Sequence, residues 1–223
     1  MPRRLVDVSP NRGLAGPNQR DSCMLRLDCE VTREDNKYAA LTHRWSDPSS
    51  YRSFHFLSHK ELESWQSRLD FNLLPRTFQD AVKITRSLGI RYLWVDALCI
   101  IQDDKEDLVA EIRKMEDVFR CAHVTLSATC ANGSDDGFLK AERKARLHYP
   151  LSYANRSGSL DMIYLCKPIN AFERDVEQSA LSRRGWVFQE RALSRRIIHF
   201  TDVQVYWECG KGIKCETLTT LSK

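Results

Sequence analysis

The run from Phe78 to Asp96 restricts the fold more than any other stretch of the chain. Phe78, Ala81, Val82, Thr85 and Leu88 recur at helical spacing and give a helix one apolar stripe. Gly89 ends that helix, because glycine enters the left-handed conformation of a helix terminus at little cost. Ile90-Arg91-Tyr92-Leu93-Trp94-Val95-Asp96 follows, rich in the aromatic and β-branched residues that fit a pleated, buried surface. A helix feeding a strand through one glycine is the grammar of a parallel sheet, where each crossover needs a helix to carry the chain back. Tyr38-Ala39-Ala40-Leu41-Thr42-His43 and His123-Val124-Thr125-Leu126-Ser127-Ala128 read as two more buried strands. Between them, Asp103 to Cys121 reads as a second helix, with Leu108, Ile112, Met115 and Phe119 as its apolar stripe. Asp103, Asp104 and Glu106 favour its positive N-terminal end.

The expectation is therefore an α/β fold. Its mostly parallel central sheet has the strands at 38–43, 91–96 and 123–128 as neighbours, flanked by helices near 77–88 and 104–121. Trp94, between Leu93 and Val95, should be buried in that sheet. Thr77 reads as a cap for the first helix, and Lys60–Leu69 as a polar helical insert. Residues 140–158 read as basic and irregular, Leu160–Cys166 as a strand, and Ser182–Leu193 as a helix. Ile197–Phe200 and Val203–Trp207 read as an added C-terminal β-hairpin across Thr201-Asp202. Residues 1–36, with Pro2, Pro10, Gly13, Gly16 and Pro17, read as a loose lead-in holding a short strand at Met24–Val31. The domain proper spans 37–215, and 216–223 is a tail.

Composition removes several function classes. Hydrophobic residues make up 42% and charged residues 29% of 223, which suits a packed core and argues against wholesale disorder. The formal net charge is +4, with Lys and Arg spread along the chain, so a nucleic-acid partner is not expected. No apolar window of about 18 residues exists to span a membrane. The basic N-terminus lacks the apolar core of a secretory signal, which leaves the cytoplasm as the expected location. The eight cysteines form no C-x-x-C pair. Cys99 sits in an apolar run as a small core residue, and Cys209 and Cys215 have no nearby His to complete a zinc site. This usage suits a reducing compartment. There is no G-x-G-x-x-G and no P-loop.

Three clusters stand outside the core pattern: Leu41-Thr42-His43-Arg44-Trp45-Ser46-Asp47, Tyr92 to Asp103, and Arg183 to Arg196. The first two end strands, where open α/β sheets bind ligands. Together with Leu74-Pro75-Arg76-Thr77, Met115 and Gly137-Phe138-Leu139, and in this order, they resemble the signature blocks of the fungal heterokaryon-incompatibility (HET) domain. The resemblance covers about residues 38–209. Thr42-His43-Arg44 replaces the family's Ser-Tyr-x, and Ser46 stands where the family usually has Gly.

That resemblance implies a role in fungal allorecognition, in which the domain drives cell death. It also implies a remote similarity to TIR domains, which have a flavodoxin-like core. Some TIR domains cleave NAD with a glutamate in a Trp-x-x-x-Glu helix. Trp186-Val187-Phe188-Gln189-Glu190 has that spacing, and i, i+4 residues share a helix face. By this analogy Glu190 is the catalytic residue, Trp186 or Trp45 stacks on a base, Arg44 or Arg184 meets phosphate, and Asp96 meets ribose. NAD would be a substrate, with no cofactor and no metal.

Each residue also has a plainer reading. Glu190 could be a surface partner of Arg184, Arg191 or Arg195, and Arg44 a member of a local ion pair. Trp186 and Trp45 could pack in the core, which is the favoured expectation for both. Asp96 could cap the following turn. His43 reads as structural, and Gly133 and Gly137 as turn glycines. The rival function is a non-enzymatic module that kills through self-association or partner recruitment.

Overall fold

A computed structural model describes residues 1–9, 22–27, 36–46, 56–140, 148–166, 171–216 and 220–221. The expected strands are β3 (Tyr38–Thr42), β5 (Tyr92–Trp94) and β6 (Val124–Ser127). β3 lies between the other two and pairs with both in parallel, Ala40 standing opposite Trp94 on one side and Thr125 on the other. β9 (Arg196–Phe200) adds a fourth parallel strand beside β6. The strands are nearly free of exposed side chains; Trp94 is 1% exposed, as expected for a sheet covered on both faces.

The crossover helices are α2 (Arg76–Ser87), α4 (Lys105–Cys121) and α5 (Gly185–Leu193). α2 joins β3 to β5 on one side of β3; α4 carries the chain back across β3 to β6; α5 continues outward to β9. Because such crossovers are right-handed, reversing direction puts α4 and α5 on the face opposite α2. Contacts agree: α4 touches α5, Trp94 meets Phe119 of α4, and Tyr38 donates its hydroxyl hydrogen to Val118 O at 2.6 Å. On the other face, Phe78 of α2 meets the His43 ring edge-on at 5.0 Å. Asp104 caps α4, accepting from the amides of Glu106 and Asp107 at 2.9 and 3.1 Å.

Several local expectations change. Residues 1–36 contribute structure: β1 (Arg4–Asp7) pairs antiparallel with β5, and β2 (Ser22–Leu27) pairs with β1. The rest of the Met24–Val31 expectation lies outside the described residues. β1 is fully buried even though Arg4 and Asp7 are charged. Their partners explain this: Arg4 pairs with Asp107 and donates to Cys99 O at 2.6 Å, and Asp7 pairs with Arg91 at 2.8 Å. Thr77 does not cap α2. Pro75 holds that position, and Thr77 Oγ1 instead donates to Gly133 O and accepts from Gly137 N, at 2.9 and 3.2 Å.

The polar insert is α1 (His59–Ser67), followed by the short β4 (Leu69–Asp70). In place of an irregular stretch, β7 (His148–Ala154) forms a hairpin with β8 (Leu160–Cys166). α5 starts at Gly185, later than the expected Ser182. Beyond it, β9 turns into β10 (Val205–Cys209), the expected antiparallel hairpin, which β11 (Gly212–Cys215) and β12 (Thr220–Leu221) extend. Apart from the β7–β8 hairpin, the described strands form one ten-stranded mixed sheet with a parallel centre.

Candidate functional site

From the end of β3 the chain departs toward β5, and from the end of β6 toward β9. Their carboxyl ends therefore part from one another, and such a switch point opens a crevice in an α/β sheet. Thr42 ends β3, and Asp96 opens the short helix α3 (Asp96–Cys99) just past β5. Side chains alternate along β3, so Thr42 follows Tyr38 toward the α4/α5 face while His43 turns to α2.

Glu190 of α5 comes to this edge. Ser194 fixes that turn of the helix: its hydroxyl bonds to Glu190 O at 2.6 Å and lies 2.7 Å from the Thr125 hydroxyl of β6. Burial pushes the Glu190 carboxyl up to about 7; the Thr42 hydroxyl and Arg184 oppose the shift, and Asp96 adds to it. Thr42 Oγ1 nevertheless makes no hydrogen bond of good geometry among the described residues. Glu190 forms no ion pair among the described residues, because Arg191 turns away to Glu208 and Glu177, at 2.8 and 3.1 Å.

Asp96 is the second carboxylate, its side chain 25% exposed. One oxygen accepts from the adjacent Ala97 N at 2.7 Å, while Val95 holds the N-cap position of α3, so Asp96 sits in the first turn and does not cap it. The other accepts from the Trp45 indole, also at 2.7 Å. His43 Nδ1 is 3.9 Å from Asp96, too far for a hydrogen bond. Burial lowers the His43 pKa, Asp96 opposes the shift and Arg184 adds to it; Nε2 of the ring has no partner among the described residues. Arg184, at the start of α5, donates to His43 O at 3.0 Å and so ties α5 to the end of β3.

Of the sequence-derived residues, Glu190, Asp96, Trp45 and Arg184 thus share one neighbourhood. Trp45 is partly buried and stacks on Phe56 with centroids 5.0 Å apart. Trp186 departs from the core expectation: it is 59% exposed, one turn before Glu190 on α5. Hydrophobicity alone placed it inside, but only Val187 of this helix is buried. Arg44 is half-buried between His43 and Trp45, with no ion pair among the described residues. Asp47 lies outside the described residues. Sequence reasoning passed over Thr42 as a site residue; as the last residue of a buried strand at the carboxyl edge, it carried the needed signal.

Two loops are clasped beside this edge. Ser46 Oγ accepts from Ser134 N at 2.7 Å, and a Cβ on Gly133 would collide with that oxygen. Gly133 is thus more than a turn glycine: its missing side chain lets Ser46 approach. Two open cavities elsewhere do not include Glu190. One, of about 240 Å³ at the amino edge, is lined by Lys37, His123 and Arg196; the other, of about 420 Å³, lies between Phe188, Arg191 and Glu208.

An open α/β sheet with a parallel centre, carrying two carboxyls and an arginine at the carboxyl edge of its strands, defines the class of the domain as α/β. Residues 38–190 match the heterokaryon incompatibility protein (HET) family, and the chain belongs to that family. The matched span starts with β3 and ends on Glu190 itself. No curated protein and no solved structure matches the chain.

Proposed function

We propose that this domain is a cell-death effector of heterokaryon incompatibility that hydrolyses NAD, or a related nucleotide, at the nicotinamide–ribose bond. The observation that carries the reading is the convergence of Glu190 and Asp96, with the Glu190 carboxyl held near neutrality. Environments that shift one carboxyl of a pair mark acid–base or charge-stabilising sites. A positively charged nicotinamide–ribose entering beside Glu190 would pull its pKa down and leave a carboxylate facing the reacting carbon. As the C1′–N bond breaks, nicotinamide leaves with the bonding electrons, and the ribose gains oxocarbenium character that Glu190 stabilises. Water then adds to C1′ and releases a proton, giving the free ribosyl product.

The remaining roles follow the layout. Trp186 offers an exposed ring on the helix face of Glu190 for stacking, and Arg44 a cation for phosphate. Asp96 bonds the Trp45 indole and so presents a fixed oxygen to a ribose hydroxyl. Arg184, anchored on His43 O, positions α5 against β3. The TIR-like analogy supports the role of Glu190 through the Trp186–Glu190 spacing.

The test is NAD consumption by purified wild type and Glu190→Gln, alongside cell killing by each. Loss of both in the variant supports hydrolysis. Killing that survives Glu190→Gln, with no NAD loss by wild type, ends the enzyme reading in favour of a non-enzymatic module.

A further inference from the structure

Thr42 carries a hydroxyl that the fold leaves unused. Its Oγ1 is closed to solvent and has no hydrogen-bond partner among the described residues. Other buried threonines show the usual solution: Thr77 Oγ1 bonds Gly133 O at 2.9 Å, Thr85 Oγ1 bonds Ala81 O at 2.7 Å, and Thr125 Oγ1 lies 2.7 Å from Ser194 Oγ. A buried donor without a partner is costly, and a native exception has a reason. Packing does not supply one here. Valine has the same branched shape and the same liking for a strand, without the idle hydroxyl.

The backbone fixes what surrounds this hydroxyl. Thr42 pairs with Ser127 of β6, and its carbonyl accepts from Ala128 N at 3.0 Å. On the other side the last pair with β5 is Ala40–Trp94, and two residues further along each chain come Thr42 and Asp96. Thr42 therefore stands level with Asp96, where β5 has ended and α3 begins. α5 lies over this edge between two anchors, Arg184 on His43 O and Ser194 on Thr125. Glu190 falls between those anchors and brings its carboxyl beside the Thr42 hydroxyl, which acts on it. Glu190 is partly exposed whereas Thr42 Oγ1 is closed off, so a ligand meets the glutamate rather than the threonine. Among the described residues, the charged groups acting on Glu190 are Asp96, which repels its carboxylate, and Arg184, which attracts it. His43 turns to Phe78, and Arg191 to Glu208 and Glu177.

We propose that Thr42 is a positioning residue for Glu190: its hydroxyl, idle beside the protonated acid, donates to the carboxylate once Glu190 ionises and holds it toward the ligand. A carboxylate is a stronger acceptor than the neutral acid, so ionisation supplies Oγ1 with the partner it lacks. The donor is thereby reserved for the charged form, which is the form that stabilises a developing positive charge. Its catalytic meaning rests on the proposed hydrolysis, whereas the hydrogen bond itself can be read without NAD.

Titration of the Glu190 carboxyl by carbon-13 NMR in the whole chain, with its signal assigned by Glu190→Gln, tests this. Thr42→Val keeps the branched shape and removes the donor, and should move the Glu190 midpoint upward by roughly one pH unit. Thr42→Ser restores the donor and should bring the midpoint back to the wild-type value. In parallel, the acid limb of kcat/KM for NAD should move upward in Thr42→Val and return in Thr42→Ser. Circular dichroism checks both folds, and Thr42→Ala carries the test if Thr42→Val does not fold. A midpoint indifferent to loss of the hydroxyl, or moved as far by Thr42→Ser, overturns the proposal. A midpoint that moves as expected in a chain that consumes no NAD upholds the hydrogen bond and ends the hydrolysis reading instead.

Discussion

Glu190 and Glu208 are both drawn into the protein around α5, yet their carboxyls shift in opposite directions. Burial favours the neutral acid in each. At Glu208 it is overruled: His199 and Arg191 bond the carboxylate at 3.0 and 2.8 Å and pull it down to about 2. At Glu190, among the described residues, Arg184 is the cation that pulls against burial, with one of its N–H groups bonded to a backbone carbonyl, and Asp96 adds repulsion. Arg191 is the neighbour of Glu190 in sequence but serves the other glutamate. A carboxylate with its full complement of donors holds a seam together; one left short of them keeps acceptor capacity unused.

The largest expected effect separates these roles by activity. Under the proposed hydrolysis, Glu190→Gln should lower NAD turnover by roughly 100-fold or more, as loss of a transition-state contact does, with the melting curve at pH 5 little changed. Glu208→Gln should do the reverse. It leaves His199 and Arg191 short of a charge and should reduce unfolding free energy by about 3 kcal/mol in urea titrations. A Glu208 variant as stable as wild type would show that the α5–β10 seam draws its strength elsewhere.

The pH response sharpens the contrast, because the two signs are opposed. Glu190, raised from 4.5 to about 7, keeps its proton in the folded protein where the unfolded chain has lost it. Its contribution therefore falls as pH rises through that window, by up to about 3 kcal/mol. Glu208, lowered from 4.5 to about 2, contributes above the upper value and loses that contribution as pH falls toward the lower. Measured at pH 5 and pH 8, Glu190→Gln should gain stability relative to wild type at the higher pH. Equal differences at both would mean that the Glu190 carboxyl is not held high. The smallest effect belongs to Trp186. Being largely exposed, Trp186→Ala should change stability by less than about 0.5 kcal/mol, while raising KM for a stacked nucleotide several-fold in initial-rate measurements.

How far the sequence could be read depended on the distance of each residue's partners. The β3, β5 and β6 strands and their helices were legible because Tyr38–Thr42, Tyr92–Trp94 and the stripe of α2 announce themselves locally. β1 was not, since Arg4 and Asp7 look like surface residues until Asp107 and Arg91 arrive from the far side of the fold. β7 was missed even though Tyr149, Leu151 and Tyr153 alternate with Pro150 and Ser152, because Pro150 and the basic residues before the strand carry the local signals of a loop. At the site, the motif blocks pointed to Glu190 and Asp96, but the diversion of Arg191 to Glu208 is a tertiary choice that no local pattern records. Trp186 was misjudged for the opposite reason: its bulk suggested the core, and only the packing of α5 shows which face is turned out.

The place of β1 also sets a timetable for the nascent chain. Val6 pairs with Leu93, and Arg4 closes on Asp107, 103 residues further on. At synthesis rates of 5–20 residues per second, β2 follows β1 within seconds, but roughly 5–20 s pass before Asp107 has been made. Through that interval Leu5, Val6 and Val8, all buried in the finished fold, are exposed to whatever else the ribosome exit offers. A chaperone that holds short apolar segments would find its client in β1 during that interval, and a codon change that slows the stretch between β2 and α4 would prolong it.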